Sequence, residues 1–212
     1  MENIEVASKK KIITRPILLL SIVSLLTDIA SEMLYPIMPI YLRSIGFSVL
    51  LIGILEGLVE AVAGISKGYF GNLSDSIQKR AIFVRIGYIM SAFAKPLIVL
   101  FTNPAWVFGV RTVERLGKGV RTSARDALLS DYTIPENKGR VFGFHRSMDT
   151  VGAAIGPFIA LIVLYFLPGQ YTKLFLISVI PGVFAILLTF LVKDKKQETQ
   201  PEKKKVGFFS FL

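Results

Sequence analysis

Leu174-Phe175-Leu176-Ile177-Ser178-Val179-Ile180-Pro181-Gly182-Val183-Phe184-Ala185-Ile186-Leu187-Leu188-Thr189-Phe190-Leu191-Val192 runs for 19 residues without a charged side chain. As an α-helix it would reach about 28 Å, close to the ~30 Å hydrocarbon thickness of a bilayer. Five further apolar stretches precede it, over residues 16–42, 49–71, 81–101, 105–129 and 147–167. Each is long enough to cross, so the pattern predicts an all-α membrane protein with six transmembrane helices. Composition agrees: of 212 residues, 52% are hydrophobic and only 19% charged, with a mean hydropathy of +0.58. These values exclude a disordered chain and argue against an ordinary soluble domain. The absence of cysteine excludes disulfides, thiolate metal sites and cysteine nucleophiles. No metal or cofactor is expected.

A net charge of +10 would suit a nucleic-acid partner if the bases shared one exposed face. Instead they lie between the apolar runs, and no nucleic acid is expected. Lys9, Lys10, Lys11 and Arg15 precede the first run, and Lys79 and Arg80 separate the second and third. Lys138 and Arg140 precede the fifth, and Lys193, Lys195, Lys196, Lys203, Lys204 and Lys205 follow the sixth. The alternate loops hold only Arg43 and Lys173. By the positive-inside rule this places both termini of a multi-pass cell-membrane protein in the cytoplasm. The fourth run is the most polar, with Arg111, Glu114, Arg115, Lys118, Arg121, Arg125 and Asp126 inside it. It is retained because an odd number of crossings would put the last two basic loops on opposite sides. A signal peptide at the start is disfavoured by Asp28 and Glu32 and by continuation through Pro36 and Pro39. The organisation read is a cytoplasmic segment over 1–15, a bundle over 16–192 and a polar linker over 193–212. The linker turns apolar again at 206–212, as though a second bundle followed.

Ionisable groups at bilayer depth are functional candidates by default. Asp28 and Glu32 share one face of the first helix at i, i+4, and Glu56 and Glu60 repeat that spacing on the second. Lys95 lies in the third, and Arg111, Glu114 and Arg115 in the fourth. Counting from the outer loops puts Glu56, Lys95 and Arg111 roughly 9–11 Å deep, with Glu32 level or deeper. Asp28, Glu60, Glu114 and Arg115 fall near the midplane. Acids and bases at matching depths suit either permanent ion pairs or carboxylates that load and release protons. His145 and Asp149, also i, i+4, could form a proton relay or simply be solvated. Trp106 falls at the outer boundary, where aromatic anchoring explains it.

The loop Gly71-Asn72-Leu73-Ser74-Asp75-Ser76-Ile77-Gln78-Lys79-Arg80 reads as a tight turn, with Asp75 placed to cap the third helix. It resembles the G-x-x-x-D-[RK]-x-G-[RK]-[RK] loop of the major facilitator superfamily. Gly71, Asp75, Lys79 and Arg80 match, while Ser76 and Gln78 depart. Arg111, Gly117 and Gly119 are similar to that family's R-x-x-Q-G-x-G-x-G pattern, with Glu114 and Arg115 departing. The stretch 117–128 looks like a bacterial permease subgroup with the run GKG-x-RT-x-x-RDAL. Gly152, Gly156 and Pro157 resemble the G-x-x-x-G-P of the fifth helix, without the glycine pair often found after it. Independently of any family, small residues four apart let helices approach closely, and Pro157 removes a backbone donor.

The resemblance implies the N-terminal six-helix half of a transporter, built as a 3+3 inverted repeat. It further implies secondary transport of a small molecule, with proton-coupled efflux of an antiporter type as the leading reading. The alternatives are proton-coupled uptake of a sugar or organic anion, using Arg111 and Arg115, and a membrane enzyme acting on a lipid phosphate through Lys118, Arg121 and Arg125. A catalytic constellation for that enzyme is missing, so a non-enzyme is expected. Expected partners are the substrate, protons, the bilayer and a second six-helix bundle. Asp28, Glu32, Glu56, Glu60, Arg111, Glu114 and Arg115 are the coupling or substrate candidates. Gly71, Asp75, Lys79 and Arg80 form a gating loop, and Gly117, Gly119, Gly152, Gly156 and Pro157 serve packing or gating.

Overall fold

A computed structural model describes residues 12–195. Among the described residues there are eight α-helices and no strand. They are α1 (Arg15–Glu32), α2 (Met38–Ser44), α3 (Val49–Ile77), α4 (Arg80–Leu97), α5 (Pro104–Asp131), α6 (Lys138–Phe166), α7 (Tyr171–Ile177) and α8 (Val179–Thr189). The basic N-terminal residues 9–11 and the apolar stretch 206–212 lie outside the described part.

Eight helices make six rods because two rods are interrupted. Residues 33–37 form a turn between α1 and α2, where Pro36 disfavours helix at the residue before it and Pro39 opens α2. At the other break, Pro181 has no N–H to give the carbonyl of Ile177, and the ladder is interrupted at Ser178.

Three rods are long and apolar enough to cross a membrane on their own account: Val49–Ile77, Pro135–Phe166 and Tyr171–Thr189. The helices that fall short are α1 and α4, each with three charged residues in 18, and the more heavily charged α5. Their polar faces turn inward. Arg111, Arg115, Arg121 and Arg125 of α5 are all buried, whereas Leu50, Ile54, Leu58 and Ile65 of α3 are exposed. An apolar exterior around a charged interior suits a hydrocarbon surround, where backbone groups must be satisfied within helices.

Glycines set the closest approaches. α5 packs between α3 and α4, and α1 packs against α6 and α8. A Cβ on Gly117 would lie 2.8 Å from the Gly87 carbonyl oxygen of α4, and one on Gly119 would overlap Ser66 Oγ of α3 at 1.8 Å. Cβ atoms on Gly152 and Gly156 would come within 2.6 Å of the Leu25 carbonyl oxygen and 2.7 Å of the Met33 amide nitrogen. Only hydrogen fits there. Pro157 lies inside α6, which is continuous through it.

Two expected boundaries are corrected. α3 continues past residue 71 to Ile77, so Gly71 faces Ser123 of α5 from within a helix rather than in a turn. Asp75 accordingly stands in the last turns of α3 and does not cap the next helix. Similarly, α6 begins at Lys138 and not near residue 147. In both places hydropathy marks where apolar residues stop, while backbone hydrogen bonding carries the helix further. α3 ends only at Gln78, whose φ of 60° is left-handed.

Candidate substrate cleft

Arg111, Arg115, Lys118, Arg121, Thr122 and Arg125 recur along α5 at intervals of three and four, which puts them on one side of a helix. That side faces a cavity of about 350 Å³. The opposite walls come from Asp28, Ser31 and Glu32 of α1, Ser91 of α4, and Arg146, Asp149 and Thr150 of α6. Tyr35 and Met38 close one end from the α1–α2 break.

The charged candidates fall into two groups. Glu56 on α3 receives two hydrogen bonds from Arg111 Nη2, at 2.5 and 2.6 Å, and Arg111 also bonds Glu114 one turn along α5. Arg115 reaches Glu56 at 3.6 Å and Glu60 at 3.4 Å. These five side chains form one ion-pair network that joins α3 to α5. Asp28 and Glu32 line the cavity from α1 and, among the described residues, have no basic group within 4 Å. Lys95 is buried on α4, and its Nζ has no hydrogen-bond partner among the described residues.

Several lining residues were not singled out as transport candidates from the sequence: Lys118, Arg121, Arg125, Arg146 and Asp149. The signal was present in the α5 spacing, since all its basic residues continue the side begun by Arg111. Arg125 donates to Ser24 Oγ at 2.6 Å and pairs with Asp126 at 3.0 Å. Arg121 stacks over the Tyr88 ring at 4.7 Å. His145 is buried, with Nδ1 3.2 Å from Ser21 Oγ. Its Nε2 lies 3.7 Å from Asp149 Oδ1, beyond hydrogen-bonding distance, so the relay is not connected here.

At the end of the bundle holding Arg80, that guanidinium bridges Asp75 of α3, at 2.7 Å, and Asp131 of α5. Lys79 stands exposed at the N-terminal boundary of α4. The capping role expected of Asp75 is taken by Asp194, whose Oδ1 accepts a 2.8 Å hydrogen bond from the Ala81 amide. Lys195 Nζ donates to the Asp131 carbonyl at 2.6 Å, and Tyr132 Oη to the Lys193 carbonyl at 2.7 Å. The chain leaving α8 is thereby fastened to α4 and α5. Trp106 Nε1 donates to the Leu97 carbonyl at 2.8 Å, near the opposite end.

The described residues form a helical bundle with an apolar exterior and a charged internal cleft. Residues 20–212 match the Major Facilitator Superfamily, and the chain belongs to that family. It is 34% identical over 198 residues to an uncharacterized MFS-type transporter of Methanocaldococcus jannaschii, covering 92% of this chain and 48% of the relative. It is 21% identical over 169 residues to citrate exporter 1 of Aspergillus niger, covering 80% of this chain and 32% of the exporter. Its fold is similar to an inward-facing, unoccupied crystal structure of a bacterial homolog of the human lysosomal transporter Spinster. The TM-score there is 0.63 and the identity 17%, over 93% of this chain and 47% of that one. The chain thus spans between about a third and about half of the length of these proteins.

Proposed function

We propose that this chain forms the first half of a secondary active transporter that exports a small molecule in exchange for protons. The carrying observation is the cavity bordered by Asp28 and Glu32, two carboxylates without an ion-pair partner among the described residues. A carboxylate already clamped by an arginine resists protonation, because losing its charge strands the partner. Asp28 and Glu32 have no such clamp, so they can bind and release protons as access to the cleft alternates. Glu56, Glu60 and Glu114 serve instead to hold α3 on α5. A second six-helix bundle would pack over the cleft, and the basic loops would place both termini in the cytoplasm. Export is favoured over uptake by the similarity to citrate exporter 1 of Aspergillus niger. Family membership favours transport over lipid-phosphate chemistry.

The test is proton-coupled flux in liposomes holding the complete gene product under an imposed pH gradient. Asp28→Asn or Glu32→Gln abolishes proton movement, whereas Glu60→Gln preserves it. Unaltered coupling in both α1 variants would sink this reading.

A further inference from the structure

We infer that the cleft binds an oxyanion, and that Arg121 and Lys118 of α5 are the groups that hold it. This inference rests on the reading of the cleft as a substrate site and adds the chemical class of the substrate. Six basic side chains line the cavity against four carboxylates. Four of the six already have carboxylate partners: Arg111 with Glu56 and Glu114, Arg115 with Glu60, Arg125 with Asp126, and Arg146 with Asp149. Arg121 and Lys118 have none within 4 Å among the described residues.

Arg121 is the stronger anchor. It is 6% exposed, and its Nη1 is buried without a hydrogen-bond partner among the described residues. A guanidinium taken out of water with an unfilled donor is costly unless a ligand completes it. The Tyr88 ring beneath it satisfies the face of the guanidinium and leaves its edge for a planar or tetrahedral oxyanion. The backbone holds the group in place. Gly117 and Gly87 bring α5 and α4 together so closely that a Cβ on Gly87 would lie 2.7 Å from Arg121 Cβ. Lys118, one turn earlier and exposed, supplies a second charge to the cavity lining. Asp28 faces the same space. A carboxylate and a phosphate share the chemistry required.

Binding is measured by calorimetry on the detergent-purified protein, with inorganic phosphate, succinate, glucose and tetraphenylphosphonium as probes. The expected result is saturable binding of phosphate or succinate and none of glucose or the cation. Whichever anion binds separates the phosphate source from the carboxylate source. Arg121→Gln weakens that binding about tenfold or more, the effect of losing one charged hydrogen bond, and Arg121→Lys retains part of it. Lys118→Gln weakens it less, and the exposed Lys173→Gln on α7 leaves it unchanged. If Arg121→Gln fails to elute as a single species, the exposed Lys118→Gln decides. The inference is overturned if neither anion binds, if tetraphenylphosphonium binds in their place, or if the decisive variant binds as the parent does. No flux is involved in this measurement. Anion binding without coupled transport would remove the proposed function alone, and cation transport insensitive to Arg121 would remove this inference alone.

Discussion

The α3–α5 contact and the α1 side of the cleft carry the same kinds of side chain and differ in how they are paired. On the α3 side, Glu56 and Glu60 meet Arg111 and Arg115 directly. On the α1 side, Asp28 and Glu32 have the identical i, i+4 spacing and meet no base within 4 Å among the described residues. Two like patterns therefore carry two different free energies. A buried charge that has its partner is part of the packing, and removing either member strands the other. A carboxylate that lines the cleft without a partner leaves no base stranded when its charge is removed, and on the proposed function it is the group that takes up protons.

The largest stability effect expected separates these regions. Arg111→Met leaves Glu56 and Glu114 without their main partner and costs about 3–5 kcal/mol. Asp28→Asn leaves no partner stranded and shifts stability far less. Thermal unfolding of both variants in the same detergent reads the difference. Equal losses would mean that Asp28 is structurally clamped after all, and the division between packing and coupling groups would fail.

The next test concerns how the two regions are brought together. Gly156→Ala on α6 forces a methyl group against α1 backbone and costs about 1–3 kcal/mol. Gly64→Ala on α3 meets nothing within 4 Å and is neutral or slightly stabilising. Comparable losses at both positions would show that the α1–α6 seam is looser than its glycines indicate.

Smallest is a gain at the end of α3. Gln78 holds a left-handed backbone that costs an L-residue roughly 1–2 kcal/mol. Its position is also the one at which the resembling loop pattern has glycine. Gln78→Gly relieves that strain and raises the unfolding midpoint, offset in part by the lost Gln78 Nε2 bond to the Asp75 carbonyl. A lowered midpoint would show that this bond outweighs the strain.

Much of this was legible in the sequence. The six apolar runs became six rods, and depth counting matched Glu56 with Arg111 and Glu60 with Arg115, which do pair. The same count placed Asp28 beside Arg115 and Glu32 beside Lys95 in depth, and neither pair forms. Depth is one coordinate along the helix axis, and it leaves open which way a side chain faces around that axis. The loop after α3 was misread for a related reason. Hydropathy registers lipid contact, so it ended α3 at residue 71 and made Asp75 a cap, while the distant Asp194 caps α4.

The sequence by itself determined that the chain is helical, that it crosses a membrane, and which charges lie inside. Helical period and apolar length are local properties, and a bilayer makes them decisive because it offers no hydrogen bonds to an open backbone. Only the tertiary structure decided which charges are spent on each other and which face the cleft. That choice depends on the rotation and approach of whole helices. Glycine-lined seams bring α6 onto α1 and α5 onto both α3 and α4, and so leave Asp28, Glu32, Lys118 and Arg121 around one cavity.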